Sequence, residues 1–381
     1  MTQIPTEVKL KLMISSARKY HHKIPAINDQ NKGLTAEVSS LLKKIEQAEI
    51  PPDLKQEVTE RLERLDRAMQ HGTYQAEYEQ TARYIEWIGS LPWNKRSVDK
   101  LELEEAKKIL DKSHYGLTPI KDRILEYLAV LKLRSEKESN QIVKLNRAPV
   151  ICLVGLPGTG KTSFAESVAE ALGRSFVRIA MGGMSNALVL RGQSKAIPEA
   201  EPGLIIKNLK RGGVKNPVLL LDEIDSTAEK AESDLMGVLL ELLDPEQNFA
   251  FTDYYIDYPF DLSEVLFICS ANQIGNITPA VQDRLEIILM PRYTNEDKIH
   301  IVRDYLMPRE FENLSLDPSI VKFSPDVWNH LIKPFGYDVD IRTLQRTANA
   351  VLRKVVRKHV ESKVQEVVIT AATLQDYLPT W

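Results

Sequence analysis

The residues most able to do chemistry form a glycine-rich run between an apolar segment and a helical one. Residues 155–162 read Gly-Leu-Pro-Gly-Thr-Gly-Lys-Thr, which satisfies the pattern G-x-x-x-x-G-K-[ST]. The glycines of that pattern let backbone N–H groups face a triphosphate, and the following helix adds the partial positive charge of its N-terminus. We expect Lys161 to reach the β- and γ-phosphates and the Thr162 hydroxyl to hold Mg²⁺. The residues predicted to bind ATP here are Gly155, Pro157, Gly158, Thr159, Gly160, Lys161 and Thr162.

Two adjacent carboxylates, Asp222 and Glu223, end a second apolar run. A carboxylate on a buried strand beside the phosphate-loop strand can hold Mg²⁺ and its water shell, and the next one can orient or deprotonate an attacking water. Without a phosphate loop, the same pair would fit the solvated start of a helix. The long separation from Lys161 leaves room for an extra strand and helix, which favours NTPases with an additional strand over small nucleotide kinases.

These motifs need a scaffold, which the apolar pattern indicates. From residue 149 onward, short runs that are apolar on both faces alternate with helical stretches, as in a parallel sheet covered by helices on each side. The runs are VICLVG, FVRIAM, PVLLLDEID, VLFICSAN and LEIILMP. We therefore predict an α/β P-loop module, preceded by a helical region and followed by a helical lid.

The length of 381 residues exceeds the size at which one core stops growing, so several domains are expected. We predict an N-terminal arm at 1–35, a helical domain at 36–140, the nucleotide-binding domain at 141–295 and the lid at 296–381. Inside the helical domain, a start signal at Pro51 and Pro52 precedes apolar residues at helical spacing. They are Leu54, Val58, Leu62, Leu65 and Met69.

Composition excludes several classes of protein. The net charge of −3 provides no global basic field that would draw the chain to nucleic acid or acidic lipid, although it does not address a local patch. No apolar stretch is long enough to span a bilayer and the N-terminus lacks a signal-peptide pattern, so we expect a cytoplasmic protein. Cys152 and Cys269 lie inside apolar runs, where we expect buried thiols rather than metal ligands.

At this point the sequence resembles the ATPase portion of Lon proteases, within the AAA+ superfamily, from about residue 41 to the C-terminus. The most specific segments are LPW, HYGL, RILEYLAV, GLPGTGKTS, LGRSFVRIAMGG, NPVLLLDEID, ELLDPEQN and YPFDLSEVLFICSAN. The resemblance implies ATP bound between neighbouring subunits of a homohexameric ring. The periodicity of the sequence does not reveal such an assembly.

The resemblance also implies roles for residues outside the phosphate loop. Asn272 matches the sensor-1 position, Arg284 the arginine finger of a neighbouring subunit, and Arg342 the sensor-2 arginine of the lid. Taken alone, Asn272 would fit a turn and Arg284 a surface ion pair. The segment that lines the adenine in this family matches Tyr115, Gly116 and Leu117, which would otherwise fit a helix-ending turn.

Two departures from the family qualify the expected activity. The chain stops about where a Ser–Lys peptidase domain would begin, so we expect no peptidase activity in this chain. The resemblance begins in the helical segment that follows the large N-terminal recruiting domain of the family, so we also expect that domain to be absent. The second departure is the pore loop, where Lon-like sequences carry an aromatic residue, an aliphatic residue and a glycine to grip polypeptide. The corresponding positions here are Ile197, Pro198, Glu199 and Glu201.

The leading hypothesis is a Lon-like ATPase that couples hydrolysis of Mg-ATP in a ring to the remodelling of a protein partner. One alternative is the motor half of a split protease whose peptidase is another chain. Another is an ATP-gated scaffold that does not thread substrate. The complete set of hydrolysis residues argues against an inactive scaffold, whereas the altered pore loop argues against efficient threading.

Overall fold

A computed structural model of the chain describes most of its residues, and these residues form two compact units, Met1–Ser90 and Leu91–Trp381. The described ranges are 28–69, 75–137, 150–227, 232–333, 340–362 and 365–379. The division between the units falls inside the helical region predicted at 36–140, and most of the predicted arm lies outside the described residues. The bounds of the four predicted domains therefore stay predictions.

The described part of the first unit consists of three helices that pack on one another, α1 (Asn28–Gln47), α2 (Pro52–Met69) and α3 (Gln75–Ser90). Helix α2 begins at Pro52, as the double proline predicts. The apolar stripe faces inward, because Leu54 and Leu62 are fully buried and Val58 is 1% exposed. Helical spacing of apolar residues therefore determined which face this helix buries.

The second unit contains a five-stranded sheet that is parallel throughout. The five apolar runs form its strands, as predicted. The strands are β1 (Val150–Val154), β2 (Phe176–Ala180), β3 (Val218–Asp222), β6 (Leu266–Ala271) and β7 (Leu285–Leu289). Their order in the sheet is β2-β3-β6-β1-β7. The three inner strands are buried along their whole length, whereas the edge strands β2 and β7 carry exposed residues.

The strand order corrects one expectation about the carboxylate strand. We expected β3 to lie beside β1, but β6 pairs with both and separates them. The carboxyl end of β6 therefore lies between the phosphate loop and Asp222. Residues at this end of β6 are consequently placed to contact both motifs.

Helices cover the sheet and connect its strands. On one face, α4 (Leu103–Ser113) and α5 (Thr118–Lys137) join α6 (Lys161–Leu172) in a core that includes Ile151, Leu220 and Ile268. Residues of the opposite face, such as Cys152 and Cys269, are also fully buried. The remaining elements of this region are α7 (Leu188–Arg191), α8 (Leu204–Gly212), α9 (Glu232–Leu243), β4 (Phe251–Thr252), β5 (Pro259–Phe260) and α10 (Pro279–Gln282).

The predicted lid is helical and has a hydrophobic cluster of its own. Its helices are α11 (Asn295–His300), α12 (Met307–Asn313), α13 (Val327–Leu331), α14 (Ile341–Ser362) and α15 (Leu374–Tyr377), with a π-helical turn at Ile301–Leu306. A two-stranded parallel pair, β8 (Val321–Phe323) and β9 (Val367–Ile369), was not predicted. These strands are three residues long and therefore too short to show a clear period of two.

The two cysteines behave as predicted, since both are buried free thiols. Burial raises the pKa of Cys152 to about 12 and that of Cys269 well above its ordinary value, so both thiols stay protonated. Among the helices of the described ranges, none is long and apolar enough to cross a membrane.

Candidate functional site

The glycine-rich loop connects β1 to α6 and keeps a tightly curled backbone. Gly158 and Gly160 adopt positive φ angles of 79° and 92°, and Gly160 is the N-cap of α6. The loop is fixed at both ends, because Gly155 N donates to Ala271 O at 3.1 Å and Tyr293 Oη donates to Thr159 O at 3.3 Å. Pro157 is exposed at the tip of the loop. The left-handed positions favour glycine, which explains the residue types that the motif requires.

Lys161 lies inside the loop and is 7% exposed. Its Nζ donates to the carbonyl oxygens of Gly155 at 2.6 Å and Leu156 at 3.1 Å. Burial lowers the pKa of Lys161, and the positive charge of Arg342 acts in the same direction. The nearby carboxylates raise the pKa and oppose this effect; they belong to Asp222, Asp225 and Glu223. The ammonium group thus has carbonyl partners that a phosphate could replace.

Asp222 is 3% exposed, and both of its carboxylate oxygens accept hydrogen bonds. Oδ2 accepts from Thr162 Oγ1 at 3.1 Å and from Arg178 Nε at 2.7 Å, while Oδ1 accepts from Ser270 Oγ. Thr162 and Asp222 therefore come together across the intervening strand β6. Hydroxyl and carboxylate oxygens are the ligands that Mg²⁺ prefers, so these two side chains fit the predicted metal site.

Glu223 follows β3 in a left-handed conformation, with a φ of 60°. Its backbone N–H donates to Ser270 Oγ at 2.9 Å, and its side chain is exposed. A Cβ atom on Gly182 would lie 2.7 Å from Oε2 of Glu223, so the glycine leaves space for this carboxylate. A non-glycine residue in this region of φ is unusual and is concentrated at functional sites. The conformation directs the chain away from the strand immediately after the buried Asp222.

Asn272 follows β6 and contacts the phosphate loop directly, because its Oδ1 accepts from Lys161 Nζ at 3.0 Å. The backbone N–H groups of Asn272 and Gln273 both donate to Asp225 Oδ2 at 3.1 Å. Asp225 is 6% exposed, and its Oδ1 has no hydrogen-bond partner within the described part of the chain. A carboxylate three residues after Asp222 thus positions the residue predicted to act as sensor 1.

Arg284 is half-exposed and lies just after α10. Its Nη2 donates to Asp244 Oδ2 at 3.1 Å. Hydrogen bonding from the backbone N–H of Glu246 lowers the pKa of Asp244, and Arg284 contributes less. In the described ranges no hydrogen bond or ion pair joins Arg284 to the phosphate loop of its own chain. This arrangement matches the surface ion pair that the residue types alone suggest and is also compatible with a role across a subunit boundary.

Arg342 lies in the first turn of α14 and is exposed. The residue that caps this helix is Asp340, whose Oδ1 accepts from Thr343 N at 2.7 Å. A Cβ atom on Gly158 would lie 3.0 Å from Cβ of Asp340, so the start of α14 reaches the phosphate loop. The lid thus brings Asp340 to the phosphate loop, and the charge of Arg342 is near enough to lower the pKa of Lys161.

The predicted adenine segment forms the connection between α4 and α5. The ring of Tyr115 stacks on His300 of the lid, with centroids 5.2 Å apart and planes 5° apart. Gly116 and Leu117 both have positive φ angles, of 63° and 56°, and Leu117 is buried. The segment is therefore a helix-ending turn, as its residue types suggest, and it also joins the lid through an aromatic pair.

The predicted pore loop folds into two consecutive turns, since Ile197 N donates to Ser194 O at 2.9 Å and Ala200 N donates to Ile197 O at 3.2 Å. Pro198 and Glu199 are the central residues of the second turn, and Glu199 has a φ of 61°. A proline followed by a residue with positive φ is the pattern of a type II turn, in which glycine is favoured at the second of these positions. Ile197 is 50% exposed.

One of the two carboxylates near this loop has a partner of opposite charge. Lys207 Nζ lies 2.5 Å from Glu201 Oε2, and this exposed pair partly neutralises the second carboxylate. The loop borders a groove of about 300 Å³ that Leu188 and Val189 also line.

Sequence reasoning missed the residues that support the site rather than face it. They are His114, Ser163, Arg178, Asp225, Asp244, Ser270 and Asp340. Two carried a weak signal, since Arg178 and Ser270 are polar residues inside apolar strands. The others look like ordinary turn or helix residues, and only their contacts distinguish them. No cluster of three or more His, Cys, Asp or Glu side chains suited to a metal ion occurs among the described residues.

Comparison with known proteins identifies relatives of this arrangement. Residues 151–293 match the family model of the ATPase family associated with various cellular activities (AAA). The chain is 42% identical over 345 residues to Lon protease 2 of Thermus thermophilus, which covers 90% of this chain and 42% of that protein. It is 40% identical over 351 residues to Lon protease of Syntrophus aciditrophicus, covering 92% of this chain and 42% of that protein. It therefore spans about two fifths of the length of these curated relatives.

Proposed function

We propose that the chain, which belongs to the AAA+ superfamily and corresponds to the ATPase portion of Lon proteases, binds and hydrolyses Mg-ATP. The observation that carries the proposal is the convergence of Lys161, Thr162, Asp222 and Asn272 at the carboxyl ends of three adjacent strands. Ligands bind at this edge in open α/β sheets. ATP binding follows from the family, whereas Mg²⁺ and the individual residue roles are our assignment.

Lys161 would bind the β- and γ-phosphates after leaving the carbonyl oxygens of its own loop. The exchange is favourable because a buried ammonium group gains charged partners in place of neutral ones. Thr162 Oγ1 and Asp222 Oδ2, 3.1 Å apart, would hold Mg²⁺ directly or through water. Bound Mg²⁺ would supply positive charge that offsets the charge developing on the phosphates. Arg178 also donates to Asp222 Oδ2 and would lose part of this hydrogen bond when Mg²⁺ binds.

Glu223 and Asn272 would act on the attacking water. Glu223 has the exposed carboxylate needed to accept a proton, and the buried Asp222 beside it is engaged by hydrogen bonds. Asn272 can orient the water through its amide once Lys161 has moved to the phosphates. Asp225 would hold Asn272 in position, because it accepts hydrogen bonds from the backbone N–H groups of Asn272 and Gln273.

We further propose that the chain assembles as a ring, a homohexamer by analogy with the family, and acts on a protein partner. Two features support a nucleotide site that two subunits share. Arg284 is half-exposed, and its ion pair is with Asp244 and not with a residue of its own phosphate loop. In a ring, Arg284 would reach the γ-phosphate bound by a neighbour. A separate peptidase chain is one candidate partner, and the expectation that these 381 residues have no peptidase activity stays a prediction.

A second candidate function, an ATP-gated scaffold that does not thread polypeptide, is favoured by the pore loop. Ile197 offers a polypeptide less contact area than an aromatic residue would, and the type II turn pattern at Pro198 and Glu199 restricts the conformations of the loop. The discriminating experiment is ATP-driven unfolding of a fluorescent protein with neutral, acidic or basic tails. Rapid unfolding of all three by the natural loop would exclude the scaffold, whereas unfolding only after Ile197→Tyr combined with Glu199→Gly would support it.

The proposed ATPase is tested by nucleotide binding and phosphate release. Lys161→Ala should abolish binding, because it removes the charge that faces the phosphates. Lys107→Ala, which removes an exposed lysine of α4, is the matched control and should bind as the unmodified chain does. Tight ATP binding by Lys161→Ala would exclude this loop as the nucleotide site.

A further inference from the structure

His114 is the C-cap of α4, and its side chain contacts the first turn of the helix that follows the phosphate loop. Its Nε2 lies 3.0 Å from Ser163 Oγ, which in turn donates to Gly160 O at 2.9 Å. The ring also packs edge-on against Phe164, with centroids 5.4 Å apart. A continuous chain of side-chain contacts thus connects the α4–α5 turn to the N-cap of α6.

The hydrogen-bond partners determine which nitrogen of His114 carries the proton. Within the described part of the chain, Nδ1 is buried and has no hydrogen-bond partner. A proton on Nδ1 would leave a buried donor unpaired, which is rarer and costlier than an unpaired acceptor. A proton on Nε2 lets His114 donate to Ser163 while the Ser163 hydroxyl donates to Gly160. The neutral Nε2–H form therefore makes both bonds.

The charged form of His114 is disfavoured by its surroundings. Burial lowers the pKa of His114 to about 4, and the positive charges of Lys121 and Arg309 act in the same direction. Lys121 Nζ is close because it donates to the carbonyl oxygen of His114 at 2.6 Å. His114 is therefore neutral at physiological pH and carries one defined tautomer.

The peptide group at the end of this chain matters for nucleotide binding. A peptide is planar, so the orientation of Gly160 O fixes the direction of the N–H of Lys161. That N–H is one of the unpaired donors at the start of α6, where an anion would bind. Gly160 O also accepts from Phe164 N at 2.9 Å, so the Ser163 hydroxyl adds a second bond that holds this peptide and keeps the Lys161 N–H directed out of the helix.

We propose that His114 is a positioning residue that couples the Tyr115–Leu117 turn to the phosphate loop, acting through Ser163 on the peptide between Gly160 and Lys161. This inference rests on the proposed function, because it assumes that the loop binds ATP. His114 itself touches neither phosphate nor water in this role. It supports the direction of one backbone donor, and Lys121 of α5, which donates to the carbonyl oxygen of His114, ties the histidine to the helix after the turn.

Four variants test the coupling by equilibrium binding of ATP and by steady-state kinetics. His114→Phe keeps the ring packing and loses the donor, whereas His114→Gln keeps an N–H donor near the position of Nε2. Ser163→Ala removes the other member of the chain, and the double variant His114→Phe with Ser163→Ala removes both. Ser167→Ala is the matched control, since its hydroxyl bonds a backbone carbonyl in the same helix without contacting His114.

We expect His114→Phe and Ser163→Ala each to weaken ATP binding by about 3- to 10-fold, as for one hydrogen bond, with a smaller effect on kcat. The double variant should be no weaker than either single variant, because both changes remove the same chain of bonds. His114→Gln should recover most of the affinity. Unchanged binding by His114→Phe, an equal loss in His114→Gln, or additive losses would each overturn the proposal.

A spectroscopic test does not depend on ATP or on the folding of variants. With ¹⁵N-labelled histidine, the nitrogen shifts of His114 at pH 7 should report a neutral ring with the proton on Nε2. A proton on Nδ1, or a charged ring, would overturn the assigned chain of bonds. Failure of both the unmodified chain and Ser167→Ala to bind ATP would instead contradict the proposed function, and this outcome is distinguishable from a failure of His114→Phe alone to show an effect.

Discussion

Lys161 Nζ donates a hydrogen bond to Asn272 Oδ1 at 3.0 Å, so the cation predicted to bind phosphate and the amide predicted to sense it are direct partners. They lie at the ends of different strand–turn units and meet because β1 and β6 are neighbours in the sheet. ATP binding would have to break this bond. The amide would thereby be released toward the attacking water only when a phosphate has engaged the lysine.

This relationship gives a specific expectation for Asn272→Ala. The variant should bind ATP as tightly as the unmodified chain or up to about 10-fold more tightly, since one bond to Lys161 no longer has to be broken. Its kcat should fall because the water is no longer oriented. Calorimetric titration and phosphate release measure the two effects, and a large loss of affinity would contradict the exchange of partners.

Glu223→Gln should preserve ATP binding and lower turnover by about 10²- to 10⁴-fold, the range for loss of a general base. The amide keeps the size of the side chain but cannot accept the proton of the water. Phosphate release under saturating ATP measures the effect. Glu104→Gln, an exposed glutamate of α4, should change neither quantity. Rapid hydrolysis by Glu223→Gln would remove Glu223 from the catalytic role.

Arg284→Ala should slow hydrolysis by about 10³-fold while each subunit still binds ATP, as for loss of an arginine finger. Arg357→Ala removes another exposed arginine, which pairs with Glu361, and serves as the control. Mixing inactive Arg284→Ala with inactive Lys161→Ala subunits should restore part of the activity. At some interfaces the intact Lys161 of an Arg284→Ala subunit then meets the intact Arg284 of a Lys161→Ala subunit. No recovery in co-assembled mixtures would argue against action across subunits.

The pKa of His114 predicts a pH dependence of stability. Its folded pKa of about 4 lies below the ordinary value of 6.5, so the unfolded chain binds this proton more readily. The contribution of the neutral His114 ring to the free energy of unfolding is complete above pH 6.5 and is lost as the pH falls toward 4. Relative to His114→Gln, the free energy of unfolding should decrease by about 1.5 kcal/mol between pH 6.5 and 5, because the unfolded histidine is already half protonated at pH 6.5. Urea denaturation at both pH values measures it, with the exposed His330→Gln as a control that keeps the dependence.

The left-handed conformation of Glu199 predicts a stabilising substitution. Glu199→Gly should raise the free energy of unfolding by roughly 0.5–1 kcal/mol, because relief of the steric cost exceeds the added entropy of the unfolded chain. Glu201→Gly should lower it, since Glu201 has no positive φ and loses its pair with Lys207. Chemical denaturation compares the two. Destabilisation by Glu199→Gly would show that the turn is not strained.

Much of the fold and of the site chemistry was predictable because it depends on local patterns. Apolar runs predicted the five strands, and spacing within 155–162 predicted the phosphate loop. The apolar stripe of α2 predicted which of its residues are buried. Each of these signals lies within a short window of sequence, where backbone preferences and burial act together. The residue types at 222 and 223 likewise predicted roles for two carboxylates without any knowledge of the sheet, and those roles stay predictions.

The tertiary structure decided which residues meet. Strand order inserted β6 between β1 and β3, and this placed Ser270 against Asp222 and Asn272 against Lys161. His114 reaches Ser163, although 49 positions separate them. Such contacts depend on how whole elements pack, and a pattern within one segment carries no information about its neighbours in space. The sequence therefore determined the chemistry available to this protein, whereas the packing of distant elements determined how those groups are oriented and supported.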